Sequence, residues 1–87
     1  MVSILIPTYN YDITKLVNEL YKQCVSAGIN FEIICIDDGS QAYVREHKLL
    51  TERLLNFYHI LSDANYGRIK ARQVLSNRAK FEWLLFL

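Results

Sequence analysis

Apolar and polar residues form blocks along the chain that predict alternating strands and helices. Dense aliphatic runs bounded by turn-forming residues predict strands at residues 2–6, 31–36, 56–61 and 81–87. Between them, apolar residues recur at spacings of three and four, which is typical of amphipathic helices, at residues 13–27, 41–55 and 68–79. Pro7 is expected to end the first strand because it cannot donate to a ladder, and Gly28 is expected to end the first helix as a left-handed cap.

This regular alternation predicts βαβ units with right-handed crossovers. The predicted fold class is therefore α/β, a three-layer α/β/α Rossmann-like arrangement around a mostly parallel sheet of about four strands. The chain has 87 residues, of which 52% are hydrophobic and 22% are charged. Such a composition is typical of a globular domain, and this length corresponds to one domain or part of one.

Charge and cysteine content exclude several classes of protein. The formal net charge is +1, so no electrostatic footprint for nucleic acid is expected. Cys24 and Cys35 lie in a predicted helix and a predicted strand without zinc-type spacing, and we interpret them as reduced core thiols. The sequence contains no recognisable signal peptide and no apolar run of transmembrane length. These features predict a cytoplasmic location, with attachment to a membrane surface left open.

Two adjacent carboxylates, Asp37 and Asp38, directly follow the strand predicted at residues 31–36. Acidic side chains are not expected inside a parallel sheet, so they are placed at the carboxyl end of the strand, where open α/β sheets bind ligands. Gly39 permits a turn there, and Ser40 is a candidate N-cap for the following helix. The alternative is a solvated turn whose Asp side chains bond to local amides.

Polar loops follow each of the first three predicted strands, so a parallel sheet would bring all three loops to one edge. Their chemistry is complementary, since Tyr9 can stack on a heteroaromatic ring and Asp38 can accept from a ring N–H or from ribose hydroxyls. Gly67 leaves space for a phosphate, and Arg68 adds positive charge at a helix N-terminus. Arg72 is on the same helix but need not point the same way. Together the loops predict a nucleotide site.

Four sequence motifs resemble the opening of the family 2 inverting glycosyltransferases, which have the GT-A fold. They occur in the family's order and at its usual spacings, and they span essentially the whole chain. Each motif alone is weak, but the ordered set is specific. The motifs are V-S-I-L-I-P-T-Y-N at residues 2–10, E-I-I-C-I-D-D-G-S at 32–40, N-Y-G at 65–67 and W-L-L-F-L at 83–87.

The resemblance implies a nucleoside diphosphate-sugar donor, most often a UDP-sugar, and sugar transfer with inversion to an acceptor hydroxyl on a saccharide, lipid or protein. By position in the motifs, Pro7 and Thr8 would hold the nucleotide through backbone contacts, and Tyr9 would pack on the base. Asp38 would bind the uracil ring. Asp37 would lie beside it and support the loop or the ribose.

The third motif implies contacts to the rest of the donor. Asn65, Gly67 and Arg68 would lie near the ribose and diphosphate. After Arg68 the sequence departs from the family, which often has a second Asn and a Gly in this helix, whereas this chain has A-R-Q at residues 71–73 and S-N-R at 76–78. The role of that helix face is therefore left open.

The resemblance also implies that the donor site and the catalytic groups lie in different parts of a longer chain. Residues 1–87 correspond to the N-terminal nucleotide-sugar-binding part of such an enzyme, and the family's D-x-D metal motif would follow Leu87. We therefore expect Mg²⁺ or Mn²⁺, the catalytic base and the acceptor site to belong to the full-length enzyme. The 87-residue segment alone is expected to be inactive and to self-associate through an exposed sheet edge.

Other singled-out residues receive structural interpretations. His47 is assigned to a charged helix face and His59 to a strand interior, neither with a partner at catalytic or metal spacing, and Trp83 is assigned to the core. A receiver-like or dinucleotide-binding domain is disfavoured because the first strand ends in P-T-Y-N rather than in acids or G-x-G-x-x-G. A non-catalytic nucleotide- or phosphate-binding or interaction module of Rossmann-like fold stays open as the alternative function.

Overall fold

Strands and helices alternate along the chain as the hydrophobic pattern predicts, and the α/β fold class is confirmed. The structure is a computed structural model that describes residues 1–87. The elements in chain order are β1 (Val2–Thr8), α1 (Thr14–Ala27), β2 (Phe31–Asp37), α2 (Val44–Arg53), β3 (Phe57–Leu61), α3 (Arg68–Arg78) and β4 (Trp83–Phe86).

All neighbouring strands in the sheet are parallel, in the order β3-β2-β1-β4. The register pairs Thr8 with Asp37 and Asp37 with Leu61, so β1, β2 and β3 end side by side. The loops that follow these strands consequently leave the sheet at one edge, as the sequence predicts.

The core has one layer on each face of the sheet. Strand residues such as Ile33 and Cys35 pack with Val17 of α1 and Leu50 of α2 on one face. On the opposite face, aliphatic side chains of β1 and β2 pack with α3 residues, forming the cluster Leu5, Ile34, Ile36, Ala71 and Leu75. Helices therefore cover both faces, which is the predicted three-layer arrangement.

The end of β1 differs from the predicted one. β1 continues through Pro7, which pairs with Ile36, instead of stopping before it. The carbonyl of Leu5 accepts from Leu87 on the β4 side, whereas the carbonyl of Thr8 accepts from Asp38 on the β2 side. In a parallel strand, alternate residues bond to opposite neighbouring strands, so the backbone of Pro7, like that of Leu5, faces β4. The last residue of β1 that pairs with β4 is Leu5, so the missing N–H of Pro7 breaks no bond to β2.

The second helix begins at Val44 rather than at residue 41. Tyr43 has a φ of 67°, which interrupts a right-handed helix before that point. The predicted left-handed cap of α1 is confirmed. Gly28 has a φ of 68°, and its N–H donates to the carbonyl of Val25.

The solvent exposure of Trp83 contradicts its predicted place in the core, whereas the burial of the two cysteines agrees with theirs. Trp83 is 75% exposed on the edge strand β4, where no helix covers it, so its assignment to the core is wrong. Cys24 and Cys35 are both buried and free, as interpreted from the sequence. Each of the three helices is too short or too polar to span a membrane.

Candidate functional site

The loops after β1, β2 and β3 enclose a pocket of about 210 Å³ at the carboxyl edge of the sheet. Every predicted site residue except Asp37 lines it, and Ala71 of α3 completes the wall. The structure therefore brings these residues together, as expected from the sequence. The lining residues are Pro7, Thr8, Tyr9, Asp38, Asn65, Gly67, Arg68 and Ala71.

Asp38 is the organising side chain of this pocket. Its Oδ1 accepts from the N–H of Tyr66 at 3.0 Å, and its Oδ2 accepts from the N–H of Gly67 at 2.8 Å. Its own N–H donates to the carbonyl of Thr8, which ties the β2–α2 loop to β1. Because each carboxylate oxygen has two lone pairs, each keeps one acceptor site beyond these bonds.

Gly39 allows two of the loops to approach each other closely. Its φ is 75°, and a Cβ built there would lie 2.4 Å from the backbone nitrogen of Asn65 and 2.5 Å from the backbone carbon of Ala64. A side chain at this position would push the β3–α3 loop away from Asp38. The turn predicted at Gly39 is thus also a contact that shapes the pocket.

Aromatic and cationic side chains stand around the pocket rim. Tyr9 is 54% exposed, and Arg68 is the first residue of α3, beside the pocket. Arg68 and Arg72 also line an adjoining groove of about 480 Å³ along α3. The guanidinium of Arg72 lies 4.3 Å from the ring centroid of Phe86. Sequence reasoning left Arg72 open, although its spacing of four from Arg68 puts both on one helix face.

Asn10 is a bridging residue that sequence reasoning missed. Its Oδ1 accepts from the N–H groups of Gln41 and Ala42 at 2.7 and 3.1 Å, and its own N–H donates to Ser40 Oγ at 2.9 Å. These bonds hold residues 41 and 42 outside α2, and the N-cap of α2 is Tyr43, so the prediction of Ser40 as the N-cap is wrong. Asn10 has a φ of 50°, and Asn tolerates this conformation well, which is a signal available from the sequence.

Asp37 lies beneath the pocket, not in it. It is fully buried, and its Oδ2 lies 2.9 Å from His47 Nδ1 and 2.5 Å from His59 Nε2. Its Oδ1 is buried without a hydrogen-bond partner. Burial alone would raise the pKa of Asp37, but the hydrogen bonds from His59 and His47 outweigh burial and hold the pKa below its ordinary value. Asp37 therefore supports the loop from below.

The assignment of His47 to a charged helix face is wrong, because its side chain is fully buried. Its Nε2 accepts from the backbone N–H of Ile13 at 3.1 Å, so the ring proton of neutral His47 is on Nδ1 and is donated to Asp37. His59 lies within β3 as predicted. Both histidines nevertheless share Asp37 as a partner, which sequence spacing did not reveal.

One cluster brings metal-type ligands together, but it does not fit the divalent ion that the resemblance implies. Ligand atoms of Cys35, Asp37 and His47 lie within 4.8 Å of one another. Mg²⁺ and Mn²⁺ favour oxygen ligands, of which this set offers one carboxylate. Burial, and secondly the charge of Asp37, raises the pKa of the Cys35 thiol and keeps it protonated. His47 Nδ1 is the protonated ring nitrogen, so it is not a free ligand.

A parallel sheet with helices on both faces, and a pocket formed by the loops at its carboxyl edge, define a Rossmann-like α/β domain. The chain belongs to glycosyl transferase family 2, whose family model matches residues 3–87. A comparison with curated proteins found no match.

Solved structures with the same fold include S. aureus TarS. The crystal structure of TarS 1-349 in complex with UDP-GlcNAc has a TM-score of 0.82 and 30% identity, over 99% of this chain and 25% of that chain. The complex of TarS 1-349 with UDP has a TM-score of 0.80 and 30% identity, over 99% of this chain and 26% of that chain. The chain thus spans about a quarter of the length of these structures. The family match and the likeness to TarS identify the domain as the GT-A type.

Proposed function

We propose that this chain is the donor-nucleotide-binding part of a glycosyltransferase that uses a UDP-sugar. The observation that carries the proposal is the single pocket in which Tyr9, Asp38, Asn65, Gly67 and Arg68 converge. The structural likeness to TarS, whose crystal structures hold UDP and UDP-GlcNAc, supports uridine as the base.

The base is assigned to the part of the pocket between Tyr9 and Asp38. A uracil ring carries one N–H, and Asp38 has a free acceptor site on each oxygen after its bonds to Tyr66 and Gly67. Those two bonds also hold the carboxylate in place before a nucleotide arrives, which lowers the cost of ordering it on binding. The exposed ring of Tyr9 stacks on the base.

Ribose and diphosphate are assigned to the α3 side. The N–H of Ala71 makes the first helical bond, to the carbonyl of Gly67, so the amides of the first three residues of α3 precede the helical ladder. Free amides and the helix dipole favour an anion here, and the guanidinium of Arg68 adds charge-assisted bonds. A pocket of about 210 Å³ suits the nucleoside part, and the groove beyond it, lined by Arg68 and Arg72, leaves room for the diphosphate and sugar.

The proposal extends, through the family resemblance, to transfer with inversion to an acceptor hydroxyl. Residues of this chain bind and orient the donor in that reaction. No catalytic role is assigned to any of them. Mg²⁺ or Mn²⁺ in the full-length enzyme, and inactivity of the 87-residue segment alone, stay predictions.

Calorimetric titration with UDP and with GDP tests this proposal. We expect binding that prefers UDP and that weakens about tenfold or more in Asp38→Asn, because a hydrogen bond to a charged group is worth about 1.5–3 kcal/mol. Glu52→Gln is the matched control, since Glu52 is an exposed carboxylate on α2 that does not line the pocket. Equal binding of UDP and GDP, or undiminished UDP binding by Asp38→Asn, would contradict the proposal.

A further inference from the structure

We propose that His47 is a positioning residue for the nucleotide pocket, holding the loop that carries Tyr9 against the strand end that carries Asp38. This inference rests on the proposed nucleotide site. His47 does not line the pocket, so it would act through its two hydrogen-bond partners, Ile13 and Asp37.

The ring of His47 joins two segments that are far apart in sequence. Nε2 accepts from the backbone N–H of Ile13 at 3.1 Å, and Nδ1 lies 2.9 Å from Asp37 Oδ2. The ring also stacks on Tyr43, with centroids 6.4 Å apart and planes at 24°. Both bonds are buried, so neither competes with water. Losing the first leaves the N–H of Ile13 without an acceptor, whereas Asp37 Oδ2 keeps its contact with His59 Nε2.

Each partner of His47 lies next to a wall of the pocket. Asp37 immediately precedes Asp38, and Ile13 closes the loop that begins at Tyr9. Residues 9–12 are all exposed, and the buried side chain of Ile13 anchors the end of the loop in the core. Hydrogen bonds fix the loop further, between Asn10 and the β2–α2 loop on the outside and from the N–H of Ile13 to His47 on the inside.

Histidine suits this bridge because it offers a donor and an acceptor on opposite sides of one rigid ring. Glutamine and asparagine each reproduce one half of it. The amide oxygen of Gln reaches the place of Nε2 and can accept from Ile13, whereas the amide nitrogen of Asn reaches the place of Nδ1 and can donate to Asp37. His47→Gln keeps the acceptor for Ile13 and loses only the bond to Asp37, which His59 still holds. His47→Asn instead leaves the N–H of Ile13 without its acceptor.

UDP titration of the wild type and of both variants tests the inference. We expect His47→Gln to bind UDP within about twofold of the wild type, and His47→Asn to bind about fivefold more weakly or worse, as for the loss of one ordering hydrogen bond. Equal affinities for the two variants, measured on protein with the same thermal midpoint, would overturn the inference while leaving the UDP site standing. No UDP binding by the wild type would overturn the proposed function as well.

A measurement on the wild type keeps the inference testable if His47→Asn does not fold. Long-range ¹H–¹⁵N NMR spectra distinguish the two ring nitrogens of a histidine. We expect His47 to have its proton on Nδ1 and its ring signals to shift when UDP is added. A proton on Nε2 would remove the bond to Ile13 and overturn the inference, and so would ring signals that UDP leaves unchanged.

Discussion

Asp37 and Asp38 are adjacent acids with different surroundings, and the alternation of side chains along a strand explains why. Successive residues of a strand point to opposite faces, so Asp37 shares the face of Cys35 and meets the α2 side of the core. Asp38 is the next residue and turns into the pocket. The period-two pattern, applied one residue past the predicted strand end, would have separated the two roles. The histidine partners required the tertiary fold.

The low pKa of Asp37 makes stability depend on pH in acid. Its folded pKa is lowered, so the ionised carboxylate contributes stability above its ordinary value, and that contribution is lost as pH falls through the folded value. We expect Asp37→Asn to lose about 1.5–3 kcal/mol of unfolding free energy at pH 7 and to lose less than the wild type does between pH 4 and pH 2. Urea unfolding across this range checks both. Parallel acid losses would contradict the assignment.

Helix α3 connects the core to the pocket, because it begins at Arg68 and buries Leu75 completely against β1 and β2. Truncating Leu75 removes packing that the neighbouring Leu5 and Ile34 cannot refill. We expect Leu75→Ala to cost about 2–5 kcal/mol of unfolding free energy. Ile69→Ala is the matched control, since Ile69 is 85% exposed, and it should cost less than about 0.5 kcal/mol. Urea unfolding that finds equal costs would contradict this packing.

Element types followed from local patterns, whereas several boundaries and exposures did not. The αL cap at Gly28 and the alternation of strands with helices were predictable because spacing and turn chemistry determine them. The start of α2 was not predictable, because it depends on Asn10 of the β1–α1 loop, which accepts from the N–H groups of residues 41 and 42. Ile69 fits an apolar helical position, yet it faces solvent because Ala71 and Leu75 define the buried face of α3.

At the scale of the whole molecule, strand order decides what is covered and what is open. β1 and β2 are the inner strands, and β4 is an edge strand with Trp83, Leu84 and Leu85 exposed. An exposed apolar edge strand favours pairing with another copy. We expect the apparent mass in size-exclusion chromatography with light scattering to rise with concentration, and Trp83→Lys to reduce that rise. A concentration-independent monomer would contradict the prediction.

The convergence of three loops at one sheet edge was predictable from the sequence, because parallel strands with crossover helices leave no other arrangement. The depth of the pocket was not predictable, since it depends on the close approach at Gly39 and on the amide bonds to Asp38. The groove along α3 depends likewise on the contact of Arg72 with Phe86, which are far apart in sequence.

The central claim is that UDP binds between the three loops, and the most direct measurement is amide chemical-shift mapping on ¹⁵N-labelled protein. We expect the largest shifts on UDP addition at Tyr9, Asp38, Gly67 and Arg68, which surround the pocket. Amides at the opposite edge of the sheet, such as that of Asn30, should not move. Shifts concentrated at that opposite edge, or spread without relation to the pocket, would contradict the account.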